Sequence, residues 1–153
     1  MGIVAIDSTG TFEEPPVLIV AVRKINEQKH NVLRLSQQMC NNYEKNIGRN
    51  WREKVSAACI FKSLRPLVKD SDIIQIDKDF LGWRKDYIER NLKRLFGLKF
   101  MGKSRLSDPT IQFIPAKYCP PVQEAHDKTQ LARHKNIKVH ECPDLNDLID
   151  LLE

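Results

Sequence analysis

Ile3-Val4-Ala5-Ile6-Asp7, turned by Ser8-Thr9-Gly10, and Val17-Leu18-Ile19-Val20-Ala21-Val22, beyond Glu13-Glu14-Pro15-Pro16, decide the fold. The first stretch reads as a buried strand ending on an acid. The second is apolar at every position, which predicts burial on both faces and a central place in a sheet. A polar turn at Asn26-Glu27-Gln28-Lys29 leads into a third strand within residues 31–36, carried by Val32, Leu33 and Leu35. Three strands on short connections predict an antiparallel meander.

The period then changes. Tyr43, Ile47, Trp51, Val55, Ala58 and Cys59 recur at spacings of three and four, which places them on one face of a helix. Gly48 is a weak point inside it and Pro66 closes it. Residues 72–77, Asp-Ile-Ile-Gln-Ile-Asp, predict a fourth strand that again ends on an acid. Phe80, Trp83, Tyr87, Ile88, Leu92 and Leu95 mark a second helix, stopped by Gly97. Residues 98–109 read as a basic loop, 111–115 as a fifth strand, 122–134 as a third helix and 137–140 as a candidate sixth strand. Asp144 is placed to cap a last helix whose apolar side is Leu145, Leu148, Ile149 and Leu152. A meander feeding alternating strands and helices predicts an α/β domain, a mixed sheet with helices on its faces. One such domain accounts for residues 1–153, with a core over 1–135 and a β-α appendix over 136–153.

Composition agrees with a folded chain. Of 153 residues, 41% are hydrophobic and 29% charged, and Gly and Pro number only 6 and 8, which excludes collagenous and low-complexity classes. The longest apolar run, residues 17–22, is far too short to span a bilayer, and the N-terminal residues lack the marks of a signal peptide. The expectation is a soluble, cytoplasmic protein with no membrane partner. Cys40, Cys59, Cys119 and Cys142 form no close pair, so reduced thiols are expected.

The acids carry the chemistry. Asp7 ends the first strand and Asp77 the fourth, and ligands of open α/β sheets bind beyond the carboxyl ends of strands. If these strands are parallel neighbours, their carboxylates converge. The third helix adds Glu124 and Asp127, three apart and so on one face. Clustered carboxylates raise one another's pKa unless cations neutralise them. Oxygen ligands of this kind select Mg²⁺ or Mn²⁺, and two such ions can clamp the attacking and leaving oxygens of a phosphodiester.

In Ile3-Val-Ala-Ile-Asp-Ser-Thr-Gly10, in the strand ending at Asp77 and in the helix Glu124-Ala-His-Asp-Lys-Thr-Gln-Leu-Ala132, the chain resembles the ribonuclease H-like superfamily. Glu124 and Asp127 match the paired acids that Holliday-junction resolvases carry on their last catalytic helix. The resemblance implies a five-stranded mixed sheet in the order 3-2-1-4-5, an acidic site of Asp7, Asp77, Glu124 and Asp127, and two-metal cleavage of nucleic acid. It also implies a homodimer, as resolvases form. The β-α appendix departs from the common core. The first-helix glutamate of ribonucleases H has no clear counterpart, although Glu44 and Glu53 are available.

Lys plus Arg exceed Asp plus Glu by 25 to 20, and the excess is concentrated. Arg84, Lys85, Arg90, Lys93, Arg94, Lys99, Lys103 and Arg105 offer a surface for a phosphate backbone, with Phe100 and Met101 between Lys99 and Lys103 as contacts to a strand. Cys119, His126, His134, His140 and Cys142 lack the close ligand pair of a zinc site; His126, next to Asp127, reads as a surface histidine, with proton shuttling at the site as the alternative. Two readings follow. The first is a Mg²⁺- or Mn²⁺-dependent nuclease; the second is a non-catalytic module of the same fold that binds nucleic acid or protein.

Overall fold

In the computed structural model, described residues are 2–13, 15–24, 29–69, 72–77, 85–99, 109–115, 120–134 and 137–152. Strands β1 (Ile3–Thr9), β2 (Val17–Lys24) and β3 (Lys29–Leu35) are followed by helices α1 (Gln37–Ile47) and α2 (Trp51–Leu64). Then come β4 (Ile73–Asp77), α3 (Lys85–Lys99), β5 (Thr110–Ile114), α4 (Pro120–Arg133), β6 (His140–Glu141) and α5 (Asn146–Ile149). Together they make an α/β fold in which a mixed sheet is flanked by helices.

The meander forms as expected: β1 pairs antiparallel with β2, and β2 with β3. β4 returns to lie parallel beside β1, and β5 parallel beside β4. The sheet is one strand wider than the five expected, in the order β5-β4-β1-β2-β3-β6. The correction comes from β6, which pairs in parallel with β3 at Leu33↔His140 and Arg34↔Glu141. It covers an edge of β3 that would otherwise expose unpaired backbone groups, and the Cys142 amide adds a bond to the Arg34 carbonyl at 2.9 Å.

Period-two alternation sorts the strand side chains onto two faces. Val4 and Ile6 of β1 and Ile74 and Ile76 of β4 face a large core shared with α1, α2, α3 and α5. Ala5, Leu18, Val20, Val22 and Val32 face the other way, where α4 covers them with Val122, Ala125 and Ala132. The C-terminal segment is no appendage to the packing. Leu145, Leu148 and Ile149 are buried in the large core, and the Leu145 amide donates to the Tyr43 hydroxyl at 3.0 Å.

Two boundaries differ from expectation. The single helix predicted through Tyr43 and Cys59 is broken into α1 and α2. Gly48 (φ 75°) and Asn50 (φ 69°) adopt left-handed backbone, a conformation that suits glycine and asparagine and stops a helix. α1 also takes Ser36 as its cap, the hydroxyl accepting from the Met39 amide. Conversely, α3 runs through Gly97 to Lys99. One glycine costs a helix only about 1 kcal/mol, less than the burial of Leu92, Leu95 and Phe96 returns, Phe96 lying edge-on to Phe61 at 5.0 Å. Among the described residues, no helix is long and apolar enough to cross a membrane.

Candidate metal centre

The site begins with strand parity. On β1, Asp7 follows Ala5 by two and so shares its face; on β4, Asp77 follows Gln75 by two, opposite in parity to Ile74 and Ile76. The parallel register runs Ile3↔Ile73 to Ile6↔Ile76, so the next positions bring Asp7 and Asp77 side by side. Asp77 pairs on its other flank with Ile114, Asp7 with Val20, and Val20 with Val32. Two carboxylates therefore stand next to each other in a row across the sheet that is otherwise apolar. Both are buried, at 5% and 6% exposure.

α4 completes the group. Its buried residues Val122, Ala125, Thr129 and Ala132 turn one face to the sheet. At about 100° per residue, His126 falls beside that face and Asp127 on the opposite side. The His126 Nδ1 atom lies 2.9 Å from Asp7 Oδ2. One ligand atom from each of Asp7, Asp77 and His126 lies within 4.8 Å of the others, the one such cluster of three or more His, Cys, Asp or Glu among the described residues. The His126 side chain is 46% exposed, so the imidazole stands at the mouth with the carboxylates behind it.

Electrostatics marks the same place. The Asp7 carboxyl is pushed up to about 6. Burial is the largest cause, and the neighbouring charge of Asp77 adds to it. The Ser8 amide and the bond to His126 act in the opposite direction. At the other end of the same strands, Asp72 is handled differently. It pairs with Arg23 and accepts from the amides of Gly2 at 3.1 Å and Lys69 at 2.6 Å. Asp7 faces a titratable imidazole and a second carboxylate instead. Removing such groups from water costs several kcal/mol per charge, so the arrangement suits a cation.

The predicted ligands divide accordingly. Asp7 and Asp77 are brought together. Asp127 is exposed and its Oδ1 accepts from Gln123 Nε2 at 3.0 Å. Glu124 is half-buried on α4 but does not belong to the cluster. Glu44 and Glu53 sit on α1 and α2, which pack against the far face of the sheet. His126 is part-exposed, as a surface histidine is, and its bond to Asp7 brings it to the acids. The signal that separates His126 from Asp127 is helical phase: Val122, Ala125 and Ala132 turn to the sheet, which leaves Asp127 on the opposite side of α4.

Of the expected phosphate-binding bases, those on the described part of α3 (Lys85, Arg90, Lys93 and Arg94) do not flank this centre. α3 packs its Ile88, Leu92, Leu95 and Phe96 into the large core, on the side of the sheet away from α4. Arg94 donates to the Leu151 carbonyl, Lys93 lies 3.5 Å from Glu89, and Arg90 lies over the Tyr87 ring. Lys85 begins the helix. Arg84, Phe100, Met101, Lys103, Arg105 and the side chain of Lys99 lie outside the described residues. Of the remaining zinc candidates, Cys142 is buried with its sulfur 3.7 Å from that of Cys59, His134 and His140 are exposed, and Cys119 is outside the described residues. No family model, curated protein or solved structure matches this chain.

Proposed function

We propose that this chain is a metal-dependent nuclease-like protein, with Asp7, Asp77 and His126 as the ligands of one divalent cation. The juxtaposition of Asp7 and Asp77 in an apolar row, closed by the imidazole of His126, is the observation that carries the reading. Two carboxylates and one imidazole fit Mn²⁺, which accepts both oxygen and nitrogen, better than Mg²⁺, which favours oxygen alone. A divalent cation there supplies charge neutralisation at the oxygens of a phosphodiester undergoing attack. Asp7 and Asp77 hold their oxygens fixed because both belong to paired strands, and the His126 Nδ1 atom, which bonds Asp7 Oδ2 in the metal-free protein, would give its lone pair to the cation in place of that bond. The two-ion arrangement expected from sequence relied on Glu124 and Asp127, so the proposal is for one protein-held ion.

The ribonuclease H-like character of the fold belongs to the same proposal. It is supported by the β1–β2–β3 meander, the parallel β1–β4 pair with an acid on each strand, and α4 lying across them. The test is cleavage of labelled single-stranded, duplex, hybrid and branched nucleic acids in Mn²⁺. Cleavage should fall at least about a hundredfold in Asp77→Asn and His126→Ala, and stay within about threefold in Asp127→Asn. Cleavage that survives Asp77→Asn, or none on any substrate, would remove the nuclease reading. The latter result would leave the non-catalytic module.

A further inference from the structure

A groove of about 790 Å³ opens on the α4 side of the sheet. Its start is fixed by β1: Thr9 follows Asp7 by two on the same face, so it lies about 7 Å further along the strand. Beside it the hairpin closes tightly at Gly10 (φ 84°), where a Cβ would stand 2.3 Å from the Pro16 carbonyl oxygen. Leu18, Ile137 and Val139 give the lining an apolar part, and Arg34 and Arg133 supply two guanidinium groups. Arg34 is held by Glu141 at 2.7 Å, while Arg133, the last residue of α4, is exposed.

We propose that this groove binds one or two unpaired nucleotides of a nucleic-acid strand, beside the phosphate to be cleaved. The placement next to the scissile phosphate rests on the nuclease reading; the binding itself does not. The volume is that of a small-ligand pocket, about 300–1,000 Å³, and not of a face that receives a double helix. A duplex keeps its bases stacked inside and presents phosphates, so an apolar lining would meet nothing. An unpaired base has a free face to lay on the part-exposed Ile137 and Val139 while its phosphates reach Arg34 and Arg133. This also moves substrate binding from α3, on the far side of the sheet, to the side that carries Asp7.

The test is fluorescence anisotropy of the full chain in EDTA, where the carboxylate centre holds no metal. The probes are labelled hexathymidylate, labelled hexauridylate and a blunt duplex dodecamer. Both hexamers should bind at least about fivefold more tightly than the duplex. Arg133→Ala should weaken hexamer binding about fivefold and lower the slope of log affinity against log salt by about one, and Arg133→Lys should restore most of it. Val139→Asp should also weaken it, while Lys93→Ala on α3 should change nothing. No hexamer binding, a preference for the duplex, or sensitivity to Lys93→Ala but not Arg133→Ala would overturn the assignment. Hexamer binding without cleavage in Mn²⁺ removes the nuclease reading alone. Duplex cleavage without hexamer binding removes the groove alone.

Discussion

His126 Nδ1 stands 2.9 Å from Asp7 Oδ2, two residues separated by 119 positions of chain. The contact joins α4 to the centre of the sheet at a point where β1 carries a carboxylate instead of the apolar side chain its neighbours would suggest. Asp77, the next strand's acid, is part of the same group. A fold with no use for these charges would be more stable without them.

The first prediction concerns pH. Asp7 titrates near 6 when folded and 3.8 is its ordinary value. The folded state therefore holds the proton more tightly than the unfolded state. This group's contribution to stability is greatest below pH 4, declines as pH rises through 6, and remains a penalty above it. Asp7→Asn should remove that dependence and stabilise the metal-free protein at neutral pH by about 1–3 kcal/mol. Urea denaturation of both proteins across this pH range measures the difference. A variant less stable than wild type at neutral pH would contradict the account.

Asp72 should behave in the opposite way. It is as buried as Asp7, but Arg23 and the amides of Gly2 and Lys69 surround it. Asp72→Ala leaves a buried guanidinium without its partner and should cost about 3–5 kcal/mol. Thermal unfolding should show a large loss in Asp72→Ala and a gain in Asp7→Asn. Equal losses in both would mean that the two carboxylates are alike structural.

The C-terminal segment gives a third test. Leu148 is 2% exposed within the large core, so Leu148→Ala should destabilise the whole domain by about 2–4 kcal/mol. Unfolding should stay a single transition. If instead the change left the main transition untouched, residues 140–152 would be an independent appendage.

Much of this architecture was legible in particular residues. The six apolar residues at 17–22 placed β2 inside the sheet, and the acids at 7 and 77 lie near the carboxyl ends of β1 and β4, which pair in parallel. What could not be read was local or tertiary. Gly48 and Asn50 break a helix whose apolar stripe continues across the gap, because periodicity reports burial and not backbone conformation. β6 pairs over two residues only, too few for any alternation to register. That His126 meets Asp7 depends on where α4 sits over β1, and spacing along a helix says nothing about which of its sides, that of His126 or that of Asp127, meets the sheet. The basic residues of α3 were visible as a charge cluster, but the face of the sheet they occupy is a tertiary fact.

The most direct test of the metal centre is a Mn²⁺ titration, followed by calorimetry and by the loss of the free-ion paramagnetic signal, on wild type, Asp7→Asn, His126→Ala and Asp127→Asn. The account predicts saturable binding of one ion in wild type and in Asp127→Asn, lost in Asp7→Asn and weakened at least about tenfold in His126→Ala. Binding that persists unchanged in Asp7→Asn and His126→Ala, or that disappears only in Asp127→Asn, would contradict it.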